Sequence, residues 1–207
     1  MYAVFLGKSV GTIAPAVGSV TNNMLSGSIA NAKLTNSSIT LNGSAVSLGG
    51  SATIASGITM VNMWHRPSNF SLSANTYTTV TGLQKLSITG AGNFGGDMTE
   101  SSGIFTFPST GIYKVEFMFN IFGGGGLYSG ARLQTTVDNS TYVVVAEGYN
   151  NQYTTDAGSF GVIPYHFDVT NTTTHKVKFV AIAHGASNLG GGSLLYSGAI
   201  FTRLGDT

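Results

Sequence analysis

Residues 113–121 alternate along their whole length. Tyr113, Val115, Phe117, Phe119 and Ile121 point one way, and Lys114, Glu116, Met118 and Asn120 the other. Such period-two alternation describes a strand with one buried face. Leu133, Thr135 and Val137 lead into Asp138-Asn139-Ser140, and Tyr142-Val143-Val144-Val145-Ala146 follows, which predicts a hairpin. Tyr165, Phe167 and Val169 are expected to face the core before a turn at Asn171. Val177, Phe179, Ala181 and Ala183 resume the pattern, and residues 194–204 read as a closing strand. No stretch has the 3.6-residue period of an amphipathic helix. Many short strands between Gly-rich turns predict an all-β fold, a sandwich or jelly roll.

The first third of the chain is patterned differently. Residues 18–54 carry isolated hydrophobes among Ser, Thr, Asn and Gly. Val20 and Ile29 stand nine residues apart, as do Leu25 and Leu34. A unit this small cannot bury its own apolar side chains, so it must stack on copies of itself or on other chains. The pattern predicts an intertwined, β-rich stalk. Three regions follow: a leader over 1–17, a repeat stalk over 18–59, and a head over 60–207. The leader opens Met1-Tyr2-Ala3-Val4-Phe5-Leu6-Gly7-Lys8, with its first Lys after the apolar run rather than before it. That order argues against an export signal. Residues 2–6 read as a short strand, as an attachment peptide, or as both.

Two resemblances add to this reading. The run Ser38-Ile39-Thr40-Leu41-Asn42-Gly43-Ser44-Ala45-Val46-Ser47-Leu48-Gly49-Gly50 resembles the shaft segments of bacteriophage tail-fibre and related virion fibre proteins. Farther on, Phe105-Thr106-Phe107-Pro108-Ser109-Thr110-Gly111-Ile112-Tyr113 contains F-x-x-P-x-x-G-x-Y. This looks like a core signature of the C1q/TNF-like superfamily, as does Tyr196-Ser197-Gly198-Ala199-Ile200-Phe201 for that family's last strand. The second resemblance implies a jelly-roll head that assembles as a homotrimer, and the first implies a place on the outer surface of a virion.

Composition narrows the chemistry. Only 8% of the 207 residues are charged and the formal net charge is +1. That is far below the usual quarter and lacks the basic excess of a nucleic-acid binder. There is no Cys, so disulfides and thiolate chemistry are excluded. No run approaches the ~20 apolar residues of a membrane helix, and no membrane insertion is expected. Gly90-Ala91-Gly92-Asn93-Phe94-Gly95 matches G-x-G-x-x-G, but no βαβ pattern surrounds it, so it reads as a loop. His166 and Asp168 share a strand face and read as a surface pair sooner than as metal ligands. Lone Trp64 reads as a packing anchor, with ligand stacking as the alternative. No two carboxylates stand out as an acid–base pair, so no enzyme activity and no cofactor are expected.

The loops are the candidates for binding. Tyr149-Asn150-Asn151-Gln152-Tyr153 is polar and aromatic, and Tyr128 closes the Gly-rich segment 123–126. Tyr and Asn combine apolar faces with hydrogen-bonding groups, which suits a sugar or a protein epitope. The sequence therefore reads as a non-enzymatic virion fibre. Its N-terminus would dock on a tail, baseplate or capsid protein. Its head would meet a host-surface glycan or protein through Tyr128, Tyr149, Asn150, Asn151 and Tyr153. The alternative is a structural head or collar fibre, or a capsid decoration protein, with no receptor.

Overall fold

The structure is a computed structural model. It describes residues 17, 27, 29–31, 34–41, 43–52, 57–124, 126–152, 154 and 157–207. The chain divides into two compact units, Met1–Ile54 and Ala55–Thr207. In the first, β1 (Ser38–Leu41) pairs antiparallel with β2 (Ser44–Ser47), with Ile39 opposite Val46. Gly43, at φ 78°, lies between them. Ile29, Leu34 and Ile39 are all exposed in the single chain, as hydrophobes too sparse to form a core must be. Val20, Leu25 and the strand expected over 2–6 lie outside the described residues.

The second unit is a sandwich of two antiparallel sheets. One runs β12 (Gly158–Val169), β9 (Gly111–Phe122), β15 (Gly198–Gly205), β3 (Met60–His65), β6 (Gln84–Lys85). Beyond the end of β15, β9 also pairs with β14 (Ser187–Leu189), which carries β4 (Phe70–Leu72). The other sheet runs β11 (Val143–Asn150), β10 (Ser129–Thr136), β13 (Lys176–Ala183), β8 (Ile104–Thr106), β7 (Thr99–Ser101). In it, β5 (Thr78–Thr79) pairs with β13 alongside β8.

The long strands follow the hydrophobic pattern. Tyr113, Val115, Phe117, Phe119 and Ile121 of β9 are buried, as are Val177, Phe179, Ala181 and Ala183 of β13. Phe167 and Val169 are buried too, with Tyr165 packed against the core from a half-buried position. Trp64 is 9% exposed and meets Phe105 edge-on at 5.2 Å, which makes it a core anchor. The closing strand needs one correction. It begins at Gly198 rather than at residue 194, and Leu194 and Tyr196 are exposed.

The F-x-x-P-x-x-G-x-Y segment acts as a corner between the sheets. Phe105 lies on β8, and Gly111 opens β9 with φ 141°. A Cβ on Gly111 would fall 2.5 Å from the Gly205 carbonyl oxygen, so the close strand approach requires glycine. The Tyr113 hydroxyl donates back to the Ser109 carbonyl at 3.0 Å, and fixes the turn. The hairpin between β10 and β11 is closed by Asp138. Its Oδ1 accepts the Thr141 N–H at 2.7 Å, the Thr136 hydroxyl at 2.7 Å and the Ser140 N–H at 2.8 Å. Those bonds, the Thr141 one first, hold its pKa well below the usual carboxylate range. The G-x-G-x-x-G segment is a loop crossing β3, with Phe94 and Val61 exchanging backbone hydrogen bonds.

Candidate functional site

Arg132 lies between Ala131 and Leu133 on β10, both fully buried, so alternation puts its side chain on the outer face of the sheet. The register sets Arg132 opposite Glu147 and Gly130 opposite Tyr149 on β11. Arg132 Nε donates to Glu147 Oε2 at 2.8 Å. Gly130 leaves the Tyr149 ring room to lie flat, because a Cβ there would clash with that ring and with the Gly148 carbonyl.

The third member comes from far away in sequence. Tyr77 immediately precedes β5, which is separated from β11 by β13 and β10. Strands about 4.8 Å apart make that a wide gap. Even so, the Tyr77 and Tyr149 hydroxyls meet at 2.7 Å, so the two rings lie across the sheet toward each other. The segment before Tyr77 is fixed by the Asn75 N–H, which donates to the Ala183 carbonyl at 2.8 Å. The Arg132 guanidinium covers the Tyr77 ring at 3.8 Å from its centroid. The Tyr149 hydroxyl donates to Glu147 Oε2 at 3.3 Å, so the Tyr77 hydroxyl is the donor in the Tyr77–Tyr149 bond.

Tyr128 completes the cluster. Its ring meets Tyr149 edge-on at 6.2 Å and His184 at 5.6 Å. Its hydroxyl donates to Asn75 Oδ1 at 3.1 Å. Burial, followed by the Tyr77 hydrogen bond, pushes the Tyr149 phenol up to about 12, against the opposing pull of Arg132. Burial works against the Arg132 charge, but Glu147 and the two tyrosine oxygens outweigh it and raise the guanidinium pKa. A groove of about 560 Å³ runs beside the cluster, lined by Arg132 and residues 144–147.

Of the residues singled out from sequence, Tyr128 and Tyr149 come together here. Asn150, at the end of β11, donates its amide to the Phe160 carbonyl at 2.6 Å and so braces β12. Asn151 is exposed just past β11, and Tyr153 lies outside the described residues. Gln152 is buried, with its amide donating to the Gly123 and Ala157 carbonyls at 2.8 and 3.0 Å. It ties the Gly-rich loop to the loop after β11. Sequence reasoning missed Tyr77, Arg132, Glu147 and His184. The predicted turn at 138–140 located the hairpin but not the pair: a regular hairpin about that turn sets Arg132 opposite Ala146, and a register shift between Leu133 and Gln134 brings Glu147 opposite it instead. Nothing local pointed to Tyr77.

Among the described residues, no group of three or more His, Asp or Glu could hold a metal ion. His166 and Asp168 are exposed on the outer face of β12, opposite Lys114 and Ile112. No helix of the described residues is long and apolar enough to cross a membrane.

No protein-family model and no curated protein matches the sequence. Solved structures do. The Eiger TNF structure from S. frugiperda superposes with a TM-score of 0.56 at 14% identity, covering 73% of this chain and 96% of that one. Murine APRIL gives 0.48 at 12% identity, covering 70% and 99%. With its two antiparallel sheets and the superposition on Eiger TNF, the second unit of this chain has a TNF-like jelly-roll fold.

Proposed function

We propose that this chain is a non-enzymatic phage virion fibre protein whose homotrimeric head recognises a receptor on the host surface. The observation that carries the reading is the convergence of Tyr77, Tyr128, Tyr149 and Arg132 on one exposed face. Tyr and Arg are the residue types that dominate binding hot spots. Residues 38–50 support the fibre assignment through their likeness to fibre shafts. The N-terminal leader would dock on a tail, baseplate or capsid protein, with the head outermost on the virion. The cluster holds one carboxylate, Glu147, already engaged by Arg132. Glycoside hydrolysis needs two, so the surface suits reversible binding rather than cleavage.

Trimer formation rests on β12. Among the described residues its only strand partner is β9, so its other edge, where the Asn150 amide meets the Phe160 carbonyl, carries no paired strand. Phe160 is 57% and Val162 46% exposed on its outer face, with Pro164 next in line. A long apolar edge strand invites pairing unless something covers it. A further copy of this chain is the occupant we assign. Its cover would also gather the sparse stalk hydrophobes of several chains into one core.

Adhesion of labelled protein to a panel of intact bacterial cells tests the reading. We expect saturable binding to some strains, reduced about tenfold or more in Tyr149→Ala, as for loss of a hot-spot anchor. Binding that is unchanged in Tyr149→Ala and Arg132→Ala would move the receptor site elsewhere. No binding to any strain would favour the structural fibre.

A further inference from the structure

We propose that the Tyr77–Tyr149–Arg132–Glu147 surface takes an uncharged saccharide; this rests on the receptor-binding reading above and gives it a ligand class. The charges at the site cancel. Arg132 and Glu147 are joined at 2.8 Å, and Glu147 accepts from Tyr149 through the same oxygen. A carboxylate or sulfate ligand on the remaining Arg132 donors would sit beside the Glu147 carboxylate, a like charge, which is costly. A cationic ligand meets the same obstacle from Arg132. The rest of the chain supplies no field to change this, with a net charge of +1 and 8% charged residues.

What the surface does offer is flat aromatic area and hydrogen-bonding tips. Tyr77 and Tyr149 are 43% and 41% exposed. Their positions are fixed before any ligand arrives: Arg132 covers Tyr77 at 3.8 Å, and the two hydroxyls are joined at 2.7 Å. A preformed site loses little entropy on binding. The C–H face of a sugar ring can lie on such a tyrosine face, because the electron-rich ring attracts the slightly positive hydrogens. Sugar hydroxyls both donate and accept. They match a site whose guanidinium gives only its Nε–H to Glu147 and whose Glu147 bonds both run to Oε2, leaving further donors and a second carboxylate oxygen. The adjoining groove, lined by Arg132 and residues 144–147, lies open beside the rings.

The test uses the full chain on a glycan array. The array carries mannose-, glucose- and galactose-terminated neutral oligosaccharides, with sialylated and sulfated ones as comparators. Adhesion to intact bacterial cells is measured in parallel, before and after periodate, which cleaves vicinal diols. We expect signal on neutral glycans and cell adhesion that periodate abolishes. Both should fall about tenfold or more in Tyr149→Ala and in Tyr77→Ala, with thermal midpoints unchanged. Tyr149→Phe, which keeps the ring, should retain most of the binding. Signal confined to sialylated or sulfated glycans would overturn the proposal. So would Tyr149-dependent adhesion that survives periodate, although surface recognition would then stand with a protein partner. Absence of all array signal and all adhesion would overturn both.

Discussion

Replacing Phe117 by alanine is expected to cost about 3–5 kcal/mol of stability, the range for removing a fully buried Phe. Phe117 projects from β9 in one sheet and stacks on Phe179 of β13 in the other, with centroids 4.5 Å apart and planes 7° from parallel. Phe179 in turn packs against Phe105 and Phe201. All four rings are fully buried. The chain has no disulfide to hold the sheets together, so these inter-sheet contacts carry much of the load. Truncation removes ring area from water-excluded contact and leaves a cavity that neighbours on rigid strands can fill only in part. For a chain of this size the thermal midpoint should fall by roughly 10 °C or more. Urea unfolding measures the loss directly. A change below about 1 kcal/mol would mean that the core closes over the gap, against the rigidity argued here.

The second large effect is expected at Asn62, a fully buried polar side chain on β3. Its Oδ1 accepts the Met98 N–H at 2.8 Å, and its Nδ2 donates to the Gly96 carbonyl at 3.2 Å and the Val61 carbonyl at 2.9 Å. The amide thereby ties down the segment that carries buried Met98 into the core. Asn62→Leu keeps the branched outline of the side chain but leaves the buried Met98 N–H without a partner. The expected cost is about 1–3 kcal/mol, because an orphaned buried polar group forfeits its hydration with nothing in return. Hydrogen exchange gives a reading specific to this account. The Met98 amide should lose its protection while the β9 amides change only with global stability. Equal protection in both proteins would show that Asn62 does not hold this segment.

The sequence exposed what is local and long. The alternation over 113–121 identified β9 and its buried face, since a one-sided strand of that length has only one register that buries its aromatics. Asp138-Asn139-Ser140 located the β10–β11 turn, because a short side chain can take over the backbone's hydrogen bonds there. Pro108, Gly111 and Tyr113 marked, through the family resemblance, the segment that forms the corner. Strands of two or three residues, such as β5, β6 and β14, were not legible: they exist through pairing to long neighbours, which leaves no periodicity of their own. β3 was hidden for a different reason. Asn62 breaks its apolar pattern, and only the partners on residues 96–98 make a buried amide acceptable.

The binding cluster divides in the same way. Tyr128 and Tyr149 were readable as aromatics near turns. Asn150 looked like a free loop amide, but it braces β12 through the Phe160 carbonyl. Tyr77 joins Tyr149 from across two intervening strands, a juxtaposition set by sheet order rather than by spacing. The exposed Phe160 and Val162 stand before the alternating run that begins at Tyr165 and gave no signal of their own. Only the placement of β12 at the sheet edge gives them a meaning.

The mass of the full chain in solution, measured by light scattering, tests the central claim of a trimeric fibre most directly. The account predicts three times the 21.4 kDa chain mass. It also predicts a fall toward a single chain when Phe160→Ser and Val162→Glu are combined on the open face of β12. A folded wild-type monomer at micromolar concentration would contradict it.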